Sequence, residues 1–231
     1  MIGSAILAAL ATAGTVDDDL LPRDPVAIAS TAFRPIDFVP VGWKLFDKFD
    51  GDLNGDDRID AAIVIQRNDP QAIIADPDGL GMDRYDANPR ILLIALRNHL
   101  WQYRIVSRND RIIPDHDSPT IGDPYEDMRI ADGVLHFDLD FFANAGSWET
   151  YNRRFQFRWN GAAMALIGFD MTHVHRGSGV LRQTSVNYLT GKRKDADGSI
   201  EDDTTEWRWS DISPDHRPVM SEIGNGFRFE G

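Results

Sequence analysis

The chain has no cysteine in 231 residues. A disulfide framework, a thiolate metal centre, a cysteine nucleophile and a lipid anchor through cysteine are all excluded. Basic residues are also scarce, with 24 Lys and Arg against 37 Asp and Glu, a formal charge of −13. That field repels phosphate backbones and anionic lipid and attracts cations, which argues against a nucleic-acid partner. Apolar runs long enough to span a bilayer are missing too. Helical 3.6-residue periodicity is scarce, and no nucleophile elbow accompanies any histidine or acid.

What the chain does have is enough apolar and aromatic residue, 42% and 10%, to bury a sizeable core without covalent staples. Residues 1–16 carry no charged side chain, and Ile2 to Ala13 form an apolar stretch closed by Ala11-Thr12-Ala13. A small-x-small close to a short apolar run is the pattern of a signal peptide over 1–13, and it places the protein in the periplasm or outside the cell. A buried amphipathic helix is the other reading of that segment. Residues 14–35, with Pro22, Pro25 and Pro35, read as an extended lead-in with a short helix near Asp24 to Ala32. A single β domain is then expected over 36–231.

The strand signals are strongest in the second half. Leu135, Phe137, Leu139 and Phe141 alternate with His136, Asp138 and Asp140. Tyr151, Phe155, Phe157 and Trp159 keep step on one face, with Asn152, Arg154, Gln156 and Arg158 on the other. Asn160-Gly161 is a hairpin signal leading into Ala162 to Phe169. A meander of these strands would set Arg154 and Arg158 beside Asp138 and Asp140. Val180 to Leu189 and short strands near Trp207 and Phe227 extend the sheet. In the first half, Ala61 to Ile65 has the density of a buried strand, and Ile91 to Leu96 with Trp101 to Val106 reads as a hairpin. Asp69 to Pro89 and Ser107 to Asp127 read as long surface loops. The expected class is all-β: antiparallel meander sheets, sandwich or propeller-blade-like, with few helices.

The sharpest local pattern is Gly51-Asp52-Leu53-Asn54-Gly55-Asp56-Asp57-Arg58-Ile59-Asp60. Calcium takes six to eight hard oxygen ligands, and a tight loop can offer them from alternate residues. Counted from Asp52, positions 1, 3, 5 and 9 are Asp52, Asn54, Asp56 and Asp60. Arg58 at position 7 would offer its backbone carbonyl, and Ile59 would point into the core. A register starting at Asp50 puts Gly55 sixth, as in an EF-hand, but meets Ala61 where a bidentate acid is needed. An acidic β-turn that holds no metal is the rival reading.

The string GDLNGDDRIDAAIVI resembles the calcium loop of FG-GAP-type repeats, found in integrin-like β-propellers and in secreted bacterial proteins. The resemblance covers about 15 residues in one copy and implies that the side chains of Asp52, Asn54, Asp56 and Asp60 bind Ca2+. The C-terminal half, with FQFRWNGAAMALIGFD and SVNYLTGK, resembles exported bacterial proteins that carry one such loop.

Weaker candidates remain. Asp195 to Asp203 could be a second ion loop, although a solvated hairpin loop explains it as well. His173 and His175 would share a strand face and could chelate zinc. His116 lies between Asp115 and Asp117, and Asp138 with Asp140 could imitate a glycosidase pair. Trp43, Trp101, Trp148, Trp159, Trp207 and Trp209 could line a sugar-binding surface or pack in the core and at sheet edges. The expected function is a non-enzymatic, calcium-binding envelope module with a protein or glycan partner. A hydrolase of cell-wall or polysaccharide material, with acids from 69–89 and 107–127, is the alternative.

Overall fold

The computed structural model describes residues 25–202, 206–213 and 217–231. The expected export segment over 1–13 and the first part of the lead-in lie outside the described residues. The described residues form strands and short 3-10 turns with no α-helix among them, and every strand pairing is antiparallel. No helix among them is long and apolar enough to cross a membrane.

The first half supplies β1 (Thr31–Ala32), β2 (Trp43–Gly51), β3 (Asp60–Arg67), β4 (Ile73–Ala75), β5 (Arg84–Asp86), β6 (Arg90–Arg97) and β7 (Tyr103–Asn109). Five of these form a sheet in the order β1-β7-β6-β3-β2, while β4 and β5 pair as a separate ribbon inside the expected 69–89 loop. The second half is one continuous meander. It comprises β8 (Tyr125–Ala131), β9 (Val134–Phe142), β10 (Glu149–Trp159), β11 (Met164–His175), β12 (Val180–Asn187), β13 (Lys192–Ser199) and β14 (Arg208–Asp211).

The alternation in each strand decides where the core sits. Ala62 and Val64 of β3 and Leu92, Ile94 and Leu96 of β6 pack with Phe137, Phe155, Phe157, Leu166 and Phe169 from the larger sheet. The intervening residues Ala61, Ile63, Ile65, Ile91, Leu93 and Ala95 face the other way and are covered by Phe38, Ala32, Val26 and Ile28. The dense apolar run of β3 is thus buried on both faces. Each fully buried aliphatic side chain contributes about 1.5–3 kcal/mol. Edge strands β2 and β8 meet where the two sheets join. A Cβ at Gly51 would come within 2.5 Å of Ile130 Cγ2, so only glycine allows this approach. Tyr125 donates to Asp47 Oδ2 across the seam at 2.7 Å, which with burial raises its pKa.

An ion pair between buried Arg90 and the more exposed Asp123 ties β6 to the loop before β8. Arg90 donates to both oxygens of Asp123 at 2.5 and 2.6 Å and lies over the Phe46 ring at 4.0 Å. Burial opposes ionisation of Asp123, but the hydrogen bonds and charge of Arg90 outweigh it and hold the carboxyl below its ordinary range. Stability from this pair is therefore complete above the unfolded carboxyl pKa of about 3.9 and lost as pH falls through the lower folded value. Asp123→Asn is expected to cost about 2 kcal/mol at pH 7, moderated by the partial exposure of Asp123. Urea unfolding of both proteins from pH 7 to pH 2 should show the gap closing in acid. A pH-independent gap would contradict it.

Several expectations are corrected. Residues 25–30 run without helix, so no helix forms there. Phe227 sits in a 3-10 turn (Gly226–Arg228), not a strand. Asp195 to Ser199 belong to strand β13, not a loop. Arg154 does pair with Asp138, at 3.4 Å, but Asp140 faces Asn152 and Arg158 faces Val134, so the second expected ion pair is absent. Strand β8 was not expected at all.

Candidate functional site

The loop from Asp52 to Ile59 joins β2 to β3, and Gly51 pairs with Asp60 at its base. Two left-handed residues, Gly55 (φ 76°) and Asp57 (φ 61°), let the chain coil tightly enough for one carboxylate to reach several amides. Asp52 Oδ1 accepts from the N–H groups of Asn54, Gly55 and Asp56 at 3.1, 2.7 and 3.3 Å, and Oδ2 accepts from that of Asp57 at 2.9 Å. Burial opposes the Asp52 charge, but these amides outweigh it and keep its pKa low.

Asn54 Oδ1 accepts from Asp56 N at 3.1 Å, and Asn54 Nδ2 donates to Asp56 Oδ2 at 3.0 Å. Arg58 donates its Nη2 to the same oxygen at 2.5 Å and its Nε to the carbonyl of Arg97 at 3.2 Å. Asp60 closes the loop. It is 0% exposed and accepts only neutral donors, Leu53 N at 2.9 Å and Arg97 N at 2.8 Å. Burial drives the Asp60 pKa upward, and the charges of Asp56 and Asp52 push it the same way.

Leu53, not Ile59, anchors the loop in the core: Leu53 is 2% exposed and Ile59 48%. Ile59, expected to point into the core, turns outward because the two left-handed residues reverse the facing that strand alternation would give. The oxygens of Asp52, Asn54, Asp56 and Asp60 lie on one loop and mostly accept backbone amides. Among the described residues no three or more His, Cys, Asp or Glu side chains are grouped as ligands of one ion. The donor chemistry nonetheless suits a hard cation. A carboxylate keeps about four lone-pair sites, so each acid here retains acceptor capacity beyond its amides. Arg58 on Asp56 competes with a cation for that oxygen.

The other candidates are placed as follows. His173 and His175 do share a face of β11, and Glu149, missed in the sequence, joins them from β10 with a hydrogen bond to His173 Nε2. Only the pairing register reveals Glu149. His175 Nδ1 accepts from Ser178 N at 3.0 Å and is used as a turn cap. His116 is buried, with Nε2 bonded to the carbonyl of Ile121 at 2.8 Å. Asp195 is held by Arg193 and Thr184, and Asp197 by Arg208.

Of the acids offered for hydrolysis, Asp69 caps a 3-10 turn, Asp86 binds Lys44 and Asn88, and Asp123 binds Arg90. Asp110 and Asp115 share a cavity of about 460 Å3 with Trp43 and Arg67, where Asp110 is locked to Arg108 by two 2.6 Å bonds. None of the six tryptophans is fully buried, and Trp101, Trp148 and Trp209 are more than 60% exposed. No protein-family model, curated protein or solved structure matches the chain.

Proposed function

We propose that the protein is an exported, non-catalytic β module of the cell envelope in which the loop 52–60 holds a calcium ion. The observation that carries this reading is Asp60, a carboxylate fully removed from water whose partners are two neutral amides. Buried charge without an opposite charge is costly, and the neighbouring Asp52 and Asp56 increase that cost. A divalent cation offsets all three at once. Asp52, Asn54, Asp56 and Asp60 would supply side-chain oxygens and Arg58 its backbone carbonyl. The ion would contribute charge neutralisation and a rigid link between β2 and β3. The apolar run at 1–13 supports export, where free calcium is abundant enough for a weak site.

Ligand binding to the folded state at a hundredfold excess over Kd adds about 2.7 kcal/mol. For a chain of this size that is a rise in melting temperature of about 5–10 °C. Metal-stripped protein is expected to melt lower in EGTA, recover with calcium, and show no recovery when Asp52 and Asp56 are both replaced by asparagine. Identical melts in EGTA and calcium would remove the reading.

A further inference from the structure

The outer face of the smaller sheet, covered elsewhere by Phe38, Ala32 and Ile28, ends in a cavity of about 460 Å3. The pairing register explains what lines it. Trp43 of β2 stands opposite Arg67 of β3, and Arg67 N donates to the Pro89 carbonyl at 3.0 Å, so one row crosses three strands. Side chains two apart on a strand share a face. Ile65 and Ile91, two residues from Arg67 and Pro89, belong to the outer core, so the row faces the same way. Arg108 of β7 stands opposite Leu93 on that face, and its two 2.6 Å bonds hold Asp110 beside it. Arg108 also donates to the Val26 carbonyl at 2.8 Å, which sets the covering segment against this wall.

The lining combines an aromatic ring with charges that are mostly matched. Trp43 is half-buried, packs against the outer core and lines the cavity beside Ile91. Asp115 is exposed between two buried residues, Pro114 and His116, and the His116 bond to the Ile121 carbonyl at 2.8 Å fixes that stretch. Three lining side chains are charged: Arg67, Asp110 and Asp115. Arg67 is paired with Asp69 at 3.4 Å and Asp110 with Arg108, so little net field remains to select an ion. Hydrogen-bonding capacity does remain. A carboxylate accepts at about four lone-pair sites, and a guanidinium has more donors than one carboxylate takes.

We propose that this cavity binds a neutral pyranose sugar. A sugar ring offers an apolar face of C–H groups to an indole, and its hydroxyls, each both donor and acceptor, meet carboxylate and guanidinium groups together. Trp43 takes the C–H face, and Asp110, Asp115 and Arg67 take the hydroxyls. Small-molecule cavities run from about 300 to 1,000 Å3, and this one has room for a single ring with its substituents. A quaternary ammonium ion would also suit an indole, but Arg67 in the same wall repels it. The site lies at the opposite end of β2 from the 52–60 loop and does not depend on an ion there.

The test is saturation-transfer NMR with the methyl glycosides of glucose, galactose and mannose, and with tetramethylammonium chloride as the cationic rival. At least one glycoside is expected to bind saturably at millimolar concentration, with an affinity that added sodium chloride leaves unchanged. Asp115→Ala should weaken it at least about tenfold, the loss expected for one hydrogen bond to a charged group. Trp43→Ala should abolish it, while Trp209→Ala, at an exposed indole on the larger sheet, should leave it unchanged. Should Trp43→Ala fail to fold because the indole also packs on the core, Asp115→Ala decides alone. Failure of all three glycosides to bind overturns the proposal. So does binding that Asp115→Ala or a folded Trp43→Ala leaves intact, binding lost in Trp209→Ala, or salt-sensitive binding of tetramethylammonium in preference to the glycosides.

Discussion

Asp60→Ala is expected to lower stability by about 2–4 kcal/mol even in EGTA. The substitution leaves the N–H groups of Leu53 and Arg97 in a dry site with no acceptor, at about 1–3 kcal/mol each. Part of that loss is returned because the buried charge and its repulsion with Asp52 and Asp56 disappear. Asp60→Asn should fall between, since one amide oxygen can serve one of the two donors. Because the Asp60 pKa is raised in the fold, its own contribution weakens as pH climbs from the unfolded value of about 3.9 through the folded one. That is opposite in sign to Asp123. Calcium selects the ionised form, so adding it should widen the difference between wild type and Asp60→Ala. Urea unfolding in EGTA and in calcium measures both effects. A loss under about 0.5 kcal/mol in EGTA would show that the two amides find other partners.

Phe155→Ala is expected to be the most damaging single truncation, at about 3–5 kcal/mol. Phe155 is wholly buried and touches the aromatic centre from every side. Its ring centroid lies 5.2 Å from Phe169, 5.7 Å from Phe229, 6.0 Å from Phe157 and 6.3 Å from Phe137. Those neighbours come from three strands and the C-terminal segment, so they cannot close the cavity by moving together. The urea midpoint should fall with the slope unchanged. Leu80→Ala, at a side chain 74% exposed, should shift stability by less than about 0.5 kcal/mol. A small loss at Phe155 would mean the core relaxes into the space.

The parts of the fold that were legible share a cause. β9 and β10 announce themselves because one face is apolar at every second residue, and β3 because both faces are. Strands buried on neither face are invisible to that signal. β8 carries Tyr125, Met128 and Ile130 toward the core, with a register shift between Tyr125 and Asp127 that breaks strict alternation, and β13 has only Ala196 fully buried. β13 forms because β12 and β14 supply its hydrogen bonds. The turn Asp132-Gly133, with both φ values positive (51° and 70°), was the available clue to β8. The Arg158 error is one of register, which alternation alone leaves free in steps of two. At the candidate site, alternate oxygen donors were visible locally. The grip of Asp60 on the Arg97 amide joins residues 37 apart in the chain, which no local pattern shows, and the outward turn of Ile59 follows from left-handed residues inside the loop.

The double covering of β3 and β6 has a consequence for how the chain matures. Thr31 and Ala32 pair with Arg104 and Tyr103, so during vectorial emergence the first strand of its sheet must wait for the last. Until β7 has appeared, Ile63, Ile65, Ile91 and Leu93 have no cover from β1, and an adhesive apolar face is on show. The segment from Val26 to Val39 covers that face in the folded chain, so its deletion is expected to expose the apolar side of β3 and β6 and promote self-association.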